Sequence, residues 1–400
     1  MKNILIISTE YPFGKGESYL APELEFAKGE ANIFILPISI SDTSVEHRPL
    51  PEGIKLLTPQ KAKFSKPLMM IKTLFSKQML AGVFELFGAK IFSFSAIKEL
   101  FKFVYASKVH YITLKNSFSF SESTIIYSYW MNSLALTATY FKKDGCVTVC
   151  RAHGADLYDH RTPFNHQFLR KYLIKKLDYV FPVSENGVEH LLQKAKKAQN
   201  VKAMHLATID DGCTVYTKGN EFLIVSCAYA VKLKRIDLII EALSKTNFKN
   251  IRWVHFGAGP EFEKLKDLAY EKLKKIKFEF RGNTPNALVK EFYRTNNVSL
   301  FINVSSTEGV PVSIMEALSF GIPALATDVG GVSELITNKF NGFLISPDSS
   351  ADDIIENIEY VLKTNDEDYL WLRNNARESF LNFWESEKQY KIFYDFLNNI

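Results

Sequence analysis

The sequence predicts an α/β protein built from parallel sheets with helices on both faces. Short, continuous apolar runs alternate along the chain with segments in which apolar residues recur at helical spacing. The chain has 400 residues, of which 46 % are hydrophobic and 23 % are charged. This composition is typical of a folded protein, and the length allows two domains of ordinary size.

Ten segments have the composition of short buried strands: 4–8, 33–37, 124–127, 147–151, 179–182, 222–227, 251–256, 277–281, 300–303 and 323–327. Helical patterns lie between many of them, for instance at 236–243 and 262–273. Buried strands that alternate with helices are typical of a parallel sheet covered on both faces.

The chain divides near Asp210-Asp211-Gly212, because turn-forming residues there are followed by a second strand–loop–helix series. We therefore expect two Rossmann-like halves. The N-terminal domain should span 1–205, a linker 206–219 and the C-terminal domain 220–383. The aromatic, amphipathic stretch at about 384–400 is expected to form a closing helix that packs back on the first domain.

Composition also indicates the cellular location of the protein. No apolar run approaches the 18 residues of a membrane-spanning helix, and the start, MKNILIIST, is too short an apolar run for a signal peptide. The four cysteines form no CxxC pair, which favours a reducing, cytoplasmic setting. They are Cys146, Cys150, Cys213 and Cys227.

The net charge of +5 is unevenly distributed. Residues 54–115 contain eleven lysines and only two acidic residues, interspersed with phenylalanine and methionine. Two interpretations remain open: a surface that binds an anionic membrane, or ordinary amphipathic helices with solvated lysines. Nucleic acid is not an expected partner, because no recognised nucleic-acid-binding motif accompanies the charge.

The stretch STEGVPVSIMEALSFGIPALATDVGGVSELI, 306–336, predicts a ligand site. Glu308 lies in a loop after a buried strand, and Glu316 lies about one turn inside the helix that begins near Pro311. A carboxylate can accept two hydrogen bonds from a vicinal diol. A nucleotide sugar has two such diols with a diphosphate between them. The helix start, Gly309, Val310, Pro311 and Val312, would face that diphosphate. Its backbone N–H groups belong to the other three residues, because Pro311 has none. The alternative is that both glutamates are ordinary surface residues.

The same stretch resembles the signature of retaining GT-B glycosyltransferases of the large GT4 family, especially those that make bacterial surface polysaccharides. The resemblance extends to Asn341-Gly342-Phe343-Leu344, to Gly257-Ala258-Gly259-Pro260 and to Arg281-Gly282-Asn283. It implies two Rossmann-like domains that face each other across a cleft. It also implies transfer of a sugar with retention of its anomeric configuration.

The resemblance further implies roles for residues in the loop SCAYAVKLKRID, 226–237. In the family this loop supplies an arginine and a lysine to the donor diphosphate. Lys234 occupies the lysine position, while Tyr229 stands where the arginine is expected, and Arg235 is a candidate substitute. Gly282 and Asn283 are expected near the base. Glu308, Lys234 and His153 are the expected catalytic residues, and Glu316 is expected to hold the ribose.

The first domain offers weaker candidates. Gly14 and Gly16 bracket a lysine after the first strand, where a glycine-rich loop lets a ligand approach the backbone. They are expected to contact the donor; the alternative is a plain turn. His153 follows a strand and is expected to bond the transferred sugar or to orient the acceptor, although a lone histidine is more often structural. The expected acceptor side consists of Asp156, Tyr127 and Trp130.

The sequence therefore predicts a glycosyltransferase that uses a nucleotide sugar, such as a UDP- or GDP-sugar, as co-substrate. Neither a cofactor nor a metal is expected, since no metal-binding motif is present. The expected acceptor is a saccharide or a lipid-linked saccharide in capsule, exopolysaccharide or lipopolysaccharide synthesis. The expected location is cytoplasmic, with a peripheral position on the inner face of the membrane as one option. The alternatives are a sugar-nucleotide epimerase, a non-catalytic nucleotide-sugar-binding scaffold and a nicotinamide oxidoreductase; the last lacks the GxGxxG fingerprint.

Overall fold

A computed structural model describes residues 2–14, 16–27, 31–40, 47–61, 63–213, 216–217, 219 and 221–400. The chain divides into two compact units. The first comprises Met1–His205 together with Gln389–Ile400, and the second comprises Leu206–Lys388. Each unit has its own parallel sheet and its own hydrophobic core.

The first unit contains six strands: β1 (Lys2–Ser8), β2 (Ala31–Pro37), β3 (Lys55–Leu56), β4 (Thr124–Ser128), β5 (Val147–Ala152) and β6 (Tyr179–Pro182). Its helices are α1 (Leu20–Glu25), α2 (Lys66–Leu74), α3 (Lys77–Gly88), α4 (Phe94–Ser117), α5 (Ser133–Ala138), α6 (Gly154–Leu157), α7 (Arg170–Lys176) and α8 (Glu185–Lys194). Short 3-10 turns follow α5 and α6.

The second unit also contains six strands: β7 (Phe222–Cys227), β8 (Ile251–Phe256), β9 (Lys277–Phe280), β10 (Val298–Asn303), β11 (Ala324–Thr327) and β12 (Gly342–Ile345). Its helices are α9 (Ile236–Ser244), α10 (Phe262–Lys272), α11 (Asn286–Thr295), α12 (Val312–Ser319), α13 (Val332–Leu335), α14 (Ala351–Lys363) and α15 (Asp366–Phe383). The last helix, α16 (Ser386–Asn399), begins in this unit and ends in the first.

Both sheets have the same strand order when the second sheet is read from its β9 edge. The first runs β3-β2-β1-β4-β5-β6 and the second runs β12-β11-β10-β7-β8-β9, with every neighbouring pair parallel. This is the doubly wound order in which the direction of winding reverses between the first and fourth strands. Ligands of open α/β sheets bind at the carboxyl ends of the strands at such a reversal. In this chain, the reversals lie between β1 and β4 and between β7 and β10.

The predicted strands and the predicted helices at 236–243 and 262–273 each coincide with an observed element. The predictions missed β3, which has only two residues, and did not count β12 as a strand. Both lie at a sheet edge and pair on one side only. Short edge strands need few apolar residues, so their sequences carry a weak signal.

The segment that the sequence suggests as a linker, 206–219, belongs to the second unit. Both carboxylate oxygens of Asp210 accept hydrogen bonds from Arg377 at 2.7 Å, and Asp211 pairs with Lys290 at 2.6 Å. These bonds tie the start of the segment to α15 and α11. Residues 214, 215 and 218 of the suggested linker, and residue 220, lie outside the described part of the chain.

The final helix packs on the first unit through aromatic contacts. The ring of Phe393 lies 5.4 Å from that of Tyr127 and 5.5 Å from that of Phe181. Beneath it, the guanidinium of Arg151 pairs with the fully buried carboxylate of Glu23 at 3.3 Å. Among the described residues, no helix combines the length and the apolar composition that crossing a membrane requires.

Candidate active site

Two loops meet at the winding reversal of the second sheet. One follows β7 and contains a 3-10 turn, Lys232–Lys234; the other follows β10 and contains Glu308. The backbone N–H of Ser306 donates to the carbonyl of Leu233 at 2.8 Å, which joins the two loops directly. Side chains that the sequence separates by more than seventy residues are therefore held together.

Lys234 and Glu308 form an ion pair at this junction. The ammonium Nζ lies 2.5 Å from Oε1 of Glu308, and the two side chains are 24 % and 10 % exposed. Asn303, at the end of β10, donates from its amide to the same oxygen at 3.1 Å. The amide oxygen of Asn303 accepts hydrogen bonds from the backbone N–H and the hydroxyl of Ser305, which fix the orientation of the amide. The carboxylate is thus positioned by two donors from different loops.

Arg235 has a bracing role in this arrangement. Its backbone is in the left-handed region, and its guanidinium donates to the carbonyls of Val304 and Pro347 and to the hydroxyl of Thr327. These bonds connect the loop after β7 to the carboxyl ends of β10, β11 and β12. The side chain therefore joins these loops to one another, and its contact with the donor stays a prediction.

The start of α12 is shaped by glycines from a neighbouring loop. The N–H of Gly331 donates to the carbonyl of Gly309 at 2.7 Å. Gly330 has a φ of +58°, and a Cβ there would collide with the carbonyl oxygen of Glu308. Glycine is therefore required, because the loop after β11 lies directly against the loop that carries Glu308. Val310 and Pro311 are buried, while Gly309 and Val312 are half-buried.

Glu316 is buried inside α12. Its Oε1 accepts a hydrogen bond from the side chain of Asn286 at 2.8 Å. Burial raises the pKa of Glu316, and the positive charge of Lys290 and the bond from Asn286 offset part of this rise. Burial also raises the pKa of the Cys227 thiol to about 12; the charge of Glu316 adds to this rise and that of Lys234 opposes it. The charges of Glu316 and Lys234 therefore both act on the thiol at the end of β7.

The loop after β8 approaches the loop after β7 closely. A Cβ on Gly257, whose φ is +126°, would collide with the carbonyl oxygen of Ala228, and Gly257 also bridges to Gly282. Tyr229 follows Ala228 in the loop after β7, and its side chain is 62 % accessible. Gly282 also has a positive φ, and Asn283 follows it in the turn before α11. The phenol of Tyr229 is thus exposed to solvent.

In the first unit, the loop after β1 closes on a carboxylate that the sequence analysis did not single out. Glu17 accepts backbone hydrogen bonds from Thr9, Glu10 and Tyr11 at 2.7–2.8 Å, and one from the indole of Trp130 at 2.6 Å. The turn contains Gly14, with φ +64°, and Gly16, around which there is open space. The lysine between these glycines lies outside the described residues.

His153 directly follows β5 and contacts Trp130, which bonds to this loop. Its ring centroid is 4.6 Å from that of Trp130 and 4.8 Å from that of Tyr129. Burial, with the nearby charge of Arg151, lowers the pKa of His153 to about 3. Within the described part of the chain, neither ring nitrogen has a hydrogen-bond partner, although both are buried. A neutral imidazole with unpaired nitrogens is suited to bonding a ligand hydroxyl.

Two residues assigned to the acceptor side from the sequence are packing residues here. Tyr127 is fully buried, and its hydroxyl donates to Glu23 at 3.0 Å beneath α16. Asp156 accepts backbone hydrogen bonds from His153 at 2.6 Å and from Met131 at 2.5 Å, and burial raises its pKa to about 6. Neither side chain therefore lies at a surface where an acceptor could bind. Trp130, in contrast, is half-buried beside His153.

Sequence reasoning missed the polar residues that hold the charged ones: Glu17, Asn286, Lys290 and Asn303. A weak signal existed for Asn303, because it ends a buried strand five residues before Glu308. Asn286 and Lys290 lie far along the chain from their partners, as does Glu17 from Trp130. Among the described residues, no group of three or more His, Cys, Asp or Glu side chains is arranged to hold a metal ion.

Comparison with known families bears on the second unit. Residues 215–379 match the family described as "Glycosyl transferases group 1". This segment is therefore similar to group 1 glycosyltransferases. It contains Lys234, Glu308 and Glu316 together with the strands and loops that position them.

Bacterial proteins are similar to half of the chain or more. The O-antigen biosynthesis glycosyltransferase WbnH of Escherichia coli is 25 % identical over 88 % of this chain and 88 % of its own. The putative colanic acid biosynthesis glycosyltransferase WcaL of Salmonella typhimurium is 25 % identical over 50 % of this chain. The chain spans about half, 51 %, of the length of that relative.

The whole chain resembles solved GT-B structures. Anabaena Alr3699/HepE in complex with UDP-glucose aligns over 100 % of both chains with a TM-score of 0.67, at 14 % identity. At this identity the similarity establishes the fold. The predicted fold class, GT-B with two Rossmann-like domains, is confirmed.

Proposed function

We propose that the protein is a glycosyltransferase that moves a sugar from a nucleotide-sugar donor to a saccharide or lipid-linked saccharide with retention of configuration. The observation that carries this proposal is the Lys234–Glu308 pair at the winding reversal, beside the start of α12 and the buried Glu316. One cation, two carboxylates and a helix start suit the diphosphate and two diols of such a donor.

We assign the roles as follows. Lys234 and the N–H groups at the start of α12 stabilise the charge that develops on the departing diphosphate. Because Arg235 is bonded to carbonyls and Tyr229 is uncharged, Lys234 is the principal side-chain cation at this position. When the diphosphate pairs with Lys234, it releases Glu308 to accept bonds from sugar hydroxyls. Glu316, oriented by Asn286, accepts bonds from the ribose.

Transfer breaks the bond between the sugar C1 and the diphosphate oxygen and forms a bond from C1 to the acceptor oxygen on the same face. The acceptor proton passes to a phosphate oxygen of the leaving group. The neutral imidazole of His153 donates or accepts a hydrogen bond with a sugar hydroxyl in the first unit, beside the half-buried Trp130. No metal or organic cofactor has an assigned role in this scheme.

The relatives favour a role in making bacterial surface polysaccharides, since WbnH is named for O-antigen biosynthesis and WcaL for colanic acid biosynthesis. HepE was crystallised with UDP-glucose, which favours a UDP-sugar as the first donor to test. We place the reaction in the cytoplasm, where nucleotide sugars are made.

The test is a binding screen of UDP, GDP, ADP and their sugars, followed by NMR of the product formed from the donor that binds. Retention requires that the transferred sugar keeps the anomeric configuration of the donor. Glu308→Ala should lower the transfer rate by about 10²-fold or more while changing nucleotide affinity little, because the carboxylate contacts the sugar. Glu356→Ala, an exposed glutamate on α14, is the matched control.

Three outcomes would contradict the proposal. Full transfer by Glu308→Ala would remove this carboxylate from the mechanism. Tight nucleotide binding without turnover on any acceptor would favour a non-catalytic scaffold, for which Tyr229 in place of an arginine is the motivating feature. Conversion of the donor sugar without an acceptor would favour an epimerase.

A further inference from the structure

The first unit carries a concentrated apolar surface, which we call the α2–α3 face. The described chain exposes twenty-two large hydrophobic side chains, and ten of them lie between residues 68 and 94. They are Leu68, Met70, Ile71, Leu74, Phe75, Leu80, Phe84, Phe87, Phe92 and Phe94. Scattered apolar side chains are normal on a protein surface, but a cluster of this size marks an interaction site.

The helix geometry shows that this exposure is built into the fold. The side of α3 that contains Met79, Gly82 and Leu86 is buried, and a Cβ at Gly82 would press against Leu100 of α4. The opposite side presents Leu80, Phe84 and Phe87, which recur at helical spacing and form an outward stripe. Helix α2 buries only Thr73. These helices are therefore apolar on the side that faces away from the core.

Unpaired lysines surround the α2–α3 face. Lys66, Lys72, Lys77, Lys90 and Lys98 are exposed. Among the described residues, none of the five has a carboxylate within 4 Å, whereas Lys102 on the neighbouring turn pairs with Glu99. Positive charge interspersed with phenylalanine and leucine suits an interface that is anionic outside and apolar inside.

A cavity of about 620 Å³ adjoins the same face. Its lining includes Ala81, Phe84 and Glu85 of α3 together with Lys171, Lys175 and Lys194, so three cations outnumber one carboxylate. Lys194 pairs with Asp159, while Lys171 and Lys175 have no ion-pair partner among the described residues. Lys175 also lines a neighbouring depression with Lys196 and Lys197. A basic cavity at the edge of an apolar surface can hold the phosphate group of a lipid while the acyl chains of that lipid remain against the surface.

We propose that the α2–α3 face docks on an anionic lipid bilayer. Phe75, Phe84 and their apolar neighbours enter the boundary between headgroups and acyl chains, and the lysine-lined cavity takes a lipid phosphate. Charge argues against a second copy of the chain as the occupant. Residues 54–115 carry eleven lysines against two acidic residues, so two such faces would repel each other. An anionic bilayer supplies the opposite charge and an apolar interior together.

The test measures co-sedimentation of the full chain with vesicles, without donor or acceptor, so its outcome is independent of the proposed transfer reaction. We expect binding to phosphatidylcholine vesicles that contain about 30 % phosphatidylglycerol, weak binding to phosphatidylcholine alone, and release when salt rises from about 50 mM to about 500 mM. Phe75→Ser/Phe84→Ser should lower the partition coefficient about tenfold or more, because two large apolar side chains leave the interface. Lys72→Gln/Lys77→Gln should reduce its salt dependence.

The matched control is Leu370→Ser/Phe383→Ser, which removes two exposed apolar side chains from α15 in the second unit and should leave binding unchanged. Circular dichroism and thermal unfolding establish that each variant is folded. Three results would overturn docking on lipid: no binding of the native protein to anionic vesicles at low salt; equal binding by Phe75→Ser/Phe84→Ser; or, by light scattering, a dimer that this variant abolishes.

Discussion

The ammonium of Lys234 and the carboxylate of Glu308 lie 2.5 Å apart, and a third group, the amide of Asn303, shares the same carboxylate oxygen. A single oxygen that accepts from two donors leaves Oε2 of Glu308 available to accept a ligand hydroxyl. The pair also keeps the lysine oriented before any phosphate arrives. Preorganised charge of this kind stabilises a transition state at little reorganisation cost.

His153 shows how burial changes the chemistry of one residue. Its folded pKa of about 3 lies below the value of about 6.5 that is usual for an unfolded chain. Between these values the unfolded chain binds a proton at this position that the folded protein does not bind. The contribution of His153 to stability is therefore present above about pH 6.5 and is lost as the pH falls towards 3.

We predict that His153→Gln flattens the acid side of the stability profile. Urea unfolding followed by circular dichroism between about pH 7 and pH 4 should show a smaller decrease for the variant than for the native protein. The difference in slope should reach up to about 1.4 kcal/mol per pH unit. Asp156 acts in the opposite direction, since burial raises its pKa to about 6, but it is present in both proteins and its effect cancels. Parallel profiles would mean that folding does not lower the pKa of His153.

At the scale of elements, the second-unit site depends on three loops that press against one another after β7, β10 and β11. Glycines allow the contact. The carbonyl of Glu308 lies where a Cβ of residue 330 would be, and the φ of Gly330 is in the left-handed region. A side chain here would both strain the backbone and displace the loop that carries Glu308.

Gly330→Ala should therefore lower the transfer rate about tenfold or more through displacement of Glu308. We also expect a decrease of a few degrees in the melting temperature of the second unit, from a conformational cost of about 1–2 kcal/mol. Gly219→Ala is the matched control in the same unit, because the nearest atom to its added Cβ would be 3.9 Å away. A fully active Gly330→Ala would show that the loop tolerates the shift.

Secondary structure was largely accessible from the sequence at this scale. The run from 222 to 227 is apolar except for Ser226, which predicted a buried strand, and β7 has those limits. The helix start at Pro311 was also predictable, because proline suits the first turn. The role of Arg235 was not predictable, since its partners Val304, Thr327 and Pro347 lie 69 to 112 residues away along the chain.

At the scale of the whole molecule, the last helix belongs to the unit in which the chain began. Tyr390, Phe393, Tyr394 and Leu397 of α16 are buried, and Phe393 covers the Arg151–Glu23 pair, with the guanidinium 4.5 Å from its ring centroid. The hydroxyl of Tyr394 lies 3.4 Å from Glu23. The C-terminal helix therefore shields the Arg151–Glu23 ion pair from water. An unpaired charge at the same depth would strongly destabilise the fold.

Neighbouring positions on α16 offer a direct comparison. Phe393→Ser should lower the free energy of unfolding of the first unit by about 3–5 kcal/mol, because it leaves a cavity beside a buried charge. Ile392→Ser, whose side chain is exposed, should change it by less than about 1 kcal/mol. Thermal unfolding and limited proteolysis of the two variants provide the measurement. Equal stabilities would mean that α16 does not contribute to the first unit.

The sequence by itself determined the α/β class, the positions of the main strands, the two-part organisation and the glutamate-containing stretch, because these features depend on local composition and spacing. The tertiary structure decided which residues act together. It joined Glu308 to Lys234, placed Asn286 on Glu316, joined Glu17 to Trp130 and buried Tyr127 under α16. Each of these contacts joins distant parts of the chain. Such contacts form only when the sheets assemble, so no pattern along the sequence specifies them.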